Sequence, residues 1–300
     1  MKKIITLFVI LGFTAINAQV ASNRFFYELT FKPKVDSAKT EKVMTILDIT
    51  PEKSLYRDFT WVAQDSILKV EVEAMQKSGV MKDLSKSMKM PKFAYKVEKT
   101  YKPEMKVLFQ EGLQNGMTPM NLGYVDKTAF NWSILPEKEK IGTYNAQKAT
   151  TDFGGRKWTA WFSTDLPFND GPYKFYGLPG LIVKVEDADK NYSWELKGNK
   201  KIDNFEELSY IEKVSPTGQG KLVEVSRDKF ETTIADFKKD PFATIRPMLK
   251  PEMLSQKIPG MDGTIGDMVK KQEKMLRDFY DANDNPIEKI TVKEKVTKKK

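Results

Sequence analysis

The side chains that most often carry chemistry are missing from this chain, which has 300 residues and no histidine or cysteine. Ser-His-Asp and Cys-His catalysis are therefore excluded, along with thiolate and imidazole metal sites. Carboxylate, lysine, tyrosine and serine-lysine chemistry remain. Asp165, Asp170, Glu186 and Asp187 lie close together in sequence, and two such carboxyls could act as acid and base in glycoside cleavage. Their setting points instead to turns and solvent faces, since Asp187 opens a hairpin loop and Glu186 alternates outward from Val185. Asp281, Asn283, Asp284 and Asn285 offer oxygen ligands, but no bidentate Glu follows at the EF-hand distance, so a polar turn is expected. Thioethers suit Cu(I), and Met81, Met88, Met90, Met248, Met253 and Met261 gather in two segments. Core filling and adaptable surface are their expected roles. Gly154-Gly155 precedes strand-like residues, not a helix, so it does not form a phosphate loop. No catalytic residue, cofactor or metal is expected.

Aromatic side chains carry the other kind of chemistry, recognition. Trp158, Trp161, Tyr173, Phe175 and Tyr176 fall within one short stretch and form a candidate platform for a ligand or partner. The next residues, Gly177-Leu178-Pro179-Gly180-Leu181-Ile182, contain a type II turn signature, with Pro179 presetting φ and Gly180 supplying a positive one. The bland reading makes this a turn that feeds a buried strand.

The elements that must position these residues are mostly strands. Residues 24–32 alternate apolar and polar, and 43–49 and 55–62 continue as an antiparallel meander. Short strands are also expected at 93–97, 105–109, 121–125, 130–135 and 157–163. The clearest hairpin sets Leu181, Val183 and Val185 against Tyr192, Trp194 and Leu196. Residues 66–77 fit strand and helix equally, and 79–92 read as a surface excursion. Further on, Ser226 caps a helix that ends near Asp240-Pro241, and Thr264 with Asp267 opens a second. The expected fold is α+β, predominantly antiparallel β-sheet with helices concentrated in the C-terminal third.

Residues 1–18 pair Lys2 and Lys3 with an apolar run to Ile16 and a small Ala18, the pattern of a signal peptide. Cleavage after Ala18 would lower the formal charge from +9 to +7, with the signs interspersed, and no segment after it is apolar enough to span a membrane. The expected organisation is a signal peptide at 1–18, a domain at 19–290 with 226–280 as a candidate helical appendage, and a basic tail at 291–300. A periplasmic or secreted protein is expected, with no nucleic-acid partner.

Residues 156–196 closely resemble the GLPGLI family of exported Bacteroidota envelope proteins. The resemblance is carried by the hexapeptide at 177–182, by Ala160-Trp161-Phe162 and by Gly171-Pro172-Tyr173-Lys174-Phe175. Near the end, Asn283-Asp284-Asn285-Pro286-Ile287-Glu288 is similar to the family's asparagine-rich ending, although this chain runs on into a lysine tail. The resemblance implies an exported protein of the cell envelope, and the family has no established activity to carry over. The first functional expectation is a non-enzymatic envelope protein that binds or supports a protein or lipid partner near the outer membrane. The alternative is a lipid or hydrophobic-ligand carrier with an apolar cavity, and a His-free hydrolase using the carboxylates stands third.

Overall fold

The computed structural model describes residues 20–80, 82, 89, 91–115, 118–214, 221–257 and 263–289. The expected signal peptide at 1–18, the tail at 291–300, most of the excursion at 79–92, and Met81, Met88, Met90 and Met261 lie outside the described residues. Twelve strands form one sheet: β1 Ser22–Phe31, β2 Glu41–Ile49, β3 Lys53–Asp58, β4 Tyr95–Thr100, β5 Lys106–Asn115, β6 Thr118–Asp126, β7 Ser133–Ile141, β8 Tyr144–Phe153, β9 Arg156–Ser163, β10 Leu181–Asp187, β11 Tyr192–Ile202 and β12 Lys221–Glu224. The spatial order is β12-β6-β5-β4-β3-β2-β1-β11-β10-β9-β8-β7. Every neighbouring pair is antiparallel except β12 with β6. The fold is thus the expected α+β type, a largely antiparallel sheet with most of its helices late in the chain.

The sheet is strongly curled, and ring contacts prove it. β8 stands eight places from β5 in the strand order, about 38 Å along a flat sheet at ~4.8 Å per strand. Yet the ring of Tyr173 lies 6.1 Å from Phe109 on β5 and 6.4 Å from Phe153 on β8. Only a nearly closed sheet brings both within reach of one side chain. The concave face carries the alternate residues that the strand patterns predict: Phe25, Tyr27, Leu29 and Phe31 of β1, Trp158, Ala160 and Phe162 of β9, and Tyr192, Trp194 and Leu196 of β11 are all buried. The β10–β11 hairpin pairs Val185 with Trp194.

Helices complete the enclosure. The ambiguous stretch 66–77 is helical: α1 Thr60–Ala63 and α2 Asp65–Ser78 follow β3, with only Leu68 of α2 buried. The strand expected at 55–62 stops at Asp58 because that carboxylate accepts the backbone N–H of Thr60 at 2.8 Å, and those of Lys92 and Phe93 at 2.7 and 3.3 Å. After α3 Tyr210–Val214, α4 Arg227–Lys239 begins at Ser226, whose side chain accepts from the Lys229 N–H as expected. Phe230 of α4 meets the ring of Tyr124 at 4.9 Å and that of Phe109 at 5.6 Å, so the helix packs into the mouth of the curled sheet. Short α5 Pro251–Leu254 leads to α6 Ile265–Asp281, opened by a capping box between Thr264 and Asp267. No helix among the described residues is long and apolar enough to cross a membrane.

The strand expected at 130–135 starts only at Ser133. Phe130 and Trp132 instead pack on Phe175 from a loop. No strand is expected at β8, whose buried positions before Phe153 are the small or polar Ala146, Ala149 and Thr151, and its hairpin partner β7 is exposed along almost its whole length.

Candidate functional site

The segment between β9 and β10, residues 164–180, does not run over the surface as loops usually do. It turns inward, and Gly171 to Phe175 are all buried. A buried loop must satisfy its own carbonyls, and Lys99 of β4 does this. Its ammonium donates to the carbonyl oxygens of Gly171, Tyr173 and Phe175 at 2.7, 3.1 and 3.3 Å and forms an ion pair with Asp170. Burial pulls the Lys99 ammonium below the usual lysine value, and Asp170 opposes that pull. The Tyr101 hydroxyl donates to the other Asp170 oxygen at 2.7 Å.

A second buried lysine comes from the loop itself. Lys174 donates to the Tyr124 hydroxyl at 2.7 Å, to Asp126 at 2.6 Å and to Glu288 at 2.5 Å, and lies 4.8 Å from the centre of the Phe109 ring. Burial alone would lower this ammonium. Glu288, Tyr124 and Asp126 outweigh it and hold Lys174 above the usual lysine value. Glu288 also accepts from the Tyr173 hydroxyl at 2.6 Å and from Arg227 of α4 at 2.7 Å.

Residues 285–289 are held the same way. Arg156 donates to Asp187 at 3.0 Å, to the Asn285 side chain at 2.8 Å, and to the carbonyls of Ile287 and Pro286 at 2.9 and 2.8 Å. Asn285 in turn donates to the Lys32 carbonyl at 2.9 Å, and the Lys289 N–H donates to the Gly154 carbonyl at 2.8 Å. The two sequence motifs, Gly-Pro-Tyr-Lys-Phe and Asn-Pro-Ile-Glu, are therefore the two halves of one buried junction. Gly154 and Gly155, both at positive φ, make the tight β8–β9 turn against which Glu288 and Lys289 dock.

The structure separates the candidate site residues. Trp158, Gly171, Pro172, Tyr173, Phe175, Leu178, Gly180, Leu181 and Ile182 are buried. Trp161 and Tyr176 are half-buried, and only Gly177 and Pro179 are exposed. An accessible platform made of all five aromatics is ruled out, because three of them fill the core. The turn also differs from the expected type II. The Gly180 N–H donates to the Leu178 carbonyl at 2.8 Å, a tighter γ-type closure around Pro179, while the Leu181 N–H goes to Leu166 at 3.0 Å. The carboxylates do not converge as an acid and base pair: Asp170 and Asp187 are buried in separate ion pairs, Glu186 faces Lys184 on the outer side, and Asp165 is exposed. Asp187 is thus a buried anchor rather than a loop residue. Asn285, weighed as a calcium ligand, is spent on Arg156 and Lys32. Among the described residues no group of three or more carboxylates is placed to hold a metal ion.

What the loop and residues 283–288 leave open is a cleft of about 370 Å³ between the concave face, α4 and the last turn of α6. Its wall includes Tyr95, Phe109, Tyr124, Tyr192, Phe230 and Phe279, and its polar groups include Glu111 and Lys238. Tyr95 and Glu111 face each other across the β4–β5 ladder. The Tyr95 hydroxyl is buried without a hydrogen-bond partner among the described residues. Burial raises the Glu111 carboxyl above the usual glutamate value, opposed by Lys238 at 3.9 Å.

The sign of the Glu111 shift predicts a pH dependence. The folded chain binds this proton more tightly than the unfolded one, so stability falls as pH rises from the usual glutamate value through the raised one, then levels off. Glu111→Gln, neutral throughout, should therefore melt a few degrees above the parent near pH 7, and the difference should vanish below about pH 4. Equal melting temperatures at both pH values would mean that Lys238 already compensates the charge in full.

A family model described as a protein of unknown function (Porph_ging) matches residues 154–184, the stretch from the β8–β9 turn through the buried loop into β10. No curated protein matches the chain. Among solved structures, "Structure of PNGF-II in C2 space group" is 18% identical with a TM-score of 0.49, covering 73% of this chain and 33% of that one. "Structure of PNGF-II in P21 space group" is also 18% identical with a TM-score of 0.47, covering 72% of this chain and 34% of that one. The chain spans about a third of the length of those two structures, and it resembles a family of unknown function over the segment that builds its buried loop.

Proposed function

We propose that the chain is an exported envelope protein of the GLPGLI type that binds a small hydrophobic or amphipathic ligand without transforming it. The observation that carries this reading is the aromatic cleft of about 370 Å³. That volume lies at the lower end of small-molecule sites, roughly 300–1,000 Å³. It suits one short chain or ring system, not both tails of a membrane lipid. Of the two binding expectations, ligand carriage gains from the structure, whereas the protein-partner reading loses its motivating surface because Trp158, Tyr173 and Phe175 are core residues. Export rests on the pattern of residues 1–18, and residence in the periplasm or outside the cell follows from it. The hexapeptide motif supports the family reading.

Ala235 gives a clean test, since it lines the cleft from an exposed position on α4. Ala235→Trp should fill the mouth and weaken binding of the neutral fluorophore N-phenylnaphthylamine more than tenfold. Its unfolding free energy should stay within ~0.5 kcal/mol of the parent, as for other surface substitutions. Unchanged fluorophore binding would place the ligand elsewhere.

A further inference from the structure

We propose that the ligand of this cleft is a small organic cation, an ammonium group carrying an apolar tail or ring, with the ammonium seated at the Glu111 carboxylate. The inference rests on the ligand-binding reading above and adds the charge of the ligand. Its first support is that an ammonium already sits there. Lys238, half exposed on α4, holds its nitrogen 3.9 Å from the Glu111 carboxylate and 5.4 Å from the centre of the Tyr280 ring. A carboxylate and a ring face are what cation sites use, because the face of an aromatic ring is its negative side. The contact to Glu111 is long for an ion pair, so a ligand ammonium that comes closer can replace this internal one and release Lys238 to solvent.

The second support is the set of charges that remain. Besides Lys238, the bases of the cleft are spoken for: Lys92 pairs with Glu41 at 2.8 Å, and Arg227 with Glu231 and Glu288, both at 2.7 Å. Lys238 is the loosely held base among the described residues of the cleft, and a carboxylate ligand that reached it would meet Glu111 beside it. An ammonium finds Glu111, and Tyr95, whose buried hydroxyl has no hydrogen-bond partner among the described residues, stands opposite Glu111 in the strand register. The rings of Phe93 and Phe109, 5.4 and 5.1 Å from that of Tyr95, line the way for the apolar part.

Octylammonium, octanol and octanoate share one tail and differ in head-group charge, so their dissociation constants for the full chain separate the two questions. Octylammonium should bind about tenfold more tightly than octanol, and octanoate more weakly than either. Glu111→Gln should bring octylammonium to the level of octanol. Lys238→Gln, on the exposed side and outside the core, should strengthen octylammonium several-fold by removing its internal competitor. If octanol binds but octanoate matches or exceeds octylammonium, or Lys238→Gln weakens octylammonium, the cation assignment is overturned while the cleft keeps its role. If none of the three binds, the ligand-binding reading itself falls and takes the assignment with it.

Discussion

Lys174→Met is expected to destabilise the protein by ~3–5 kcal/mol, because it removes one partner from a buried ionic cluster and leaves the others without it. Methionine nearly matches lysine in length, so the substitution deletes the charge with little change in packing. Asp126 and Glu288 would then sit at the mouth of the curled sheet without the ammonium that now binds both at 2.6 and 2.5 Å. Arg227 is a partial substitute: it reaches Glu288 at 2.7 Å but Asp126 only at 3.7 Å. In a chain of this size each kcal/mol is worth ~2–4 °C, so the melting temperature should fall by about 10 °C.

The pH profile identifies the mechanism. Burial would raise the Asp126 carboxyl, yet Lys174 beside it holds it below the usual aspartate value. Such a group adds stability that is present above the usual aspartate pKa and is lost as pH falls through the depressed folded value. The gap between parent and variant should therefore be widest near neutrality and narrow in acid. Combining Lys174→Met with Asp126→Asn and Glu288→Gln should recover much of the loss, since neutral groups no longer need the cation. A single variant as stable as the parent at neutral pH would show that the loop docks without its lysine.

The strand pattern makes the sheet legible, and it also marks the charged residues of the buried phase. Tyr95 and Val97 point inward, so Lys99 lies in the same phase; Val107 and Phe109 likewise lead to Glu111, and Tyr124 to Asp126. Arg156 opens the inward series of β9 and Asp187 closes that of β10. A charged residue in the buried phase of an alternating strand marks an internal ion pair, because it must be neutralised or bonded there. That signal was available for Lys99, Glu111, Asp126, Arg156 and Asp187. Their partners were not legible, because nothing local says that residues 164–180 fold inside the sheet or that Glu288 returns to meet Lys174 from 114 residues away. The helix α2 was ambiguous for a different reason: Val70 and Ile67 are exposed in the structure, so neither period described a buried face. The cleft was illegible because it arises from the closure of the sheet, a property of no single segment.

The two glycines of the hexapeptide should respond unequally to alanine, and the difference tests how the loop is held. Gly177 is exposed at φ +95°, and a methyl group there would come no nearer than 4.0 Å to the Trp132 ring. Gly177→Ala should therefore cost only the conformational strain, about 1–2 kcal/mol. Gly180 is buried where the chain leaves the loop to pair with β9, and Leu181 lies opposite Ser163. A Cβ on Gly180 would lie 2.7 Å from the Ser163 carbonyl carbon and 3.0 Å from the Thr164 nitrogen, with the Ser163 oxygen nearer still. These are backbone atoms at the end of β9, which cannot rotate away as a side chain can. Nor can Gly180 move, because its own N–H is bonded to Leu178 and that of Leu181 to Leu166. Gly180→Ala should accordingly cost ~3 kcal/mol or more, combining overpacking with a φ of +155° that L-residues rarely adopt. Chemical denaturation of the two variants would measure both. Equal, small losses would mean that the glycines serve only to reverse the chain, whereas a large loss confined to Gly180 identifies close approach between the loop exit and β9 as the reason the second glycine cannot be replaced.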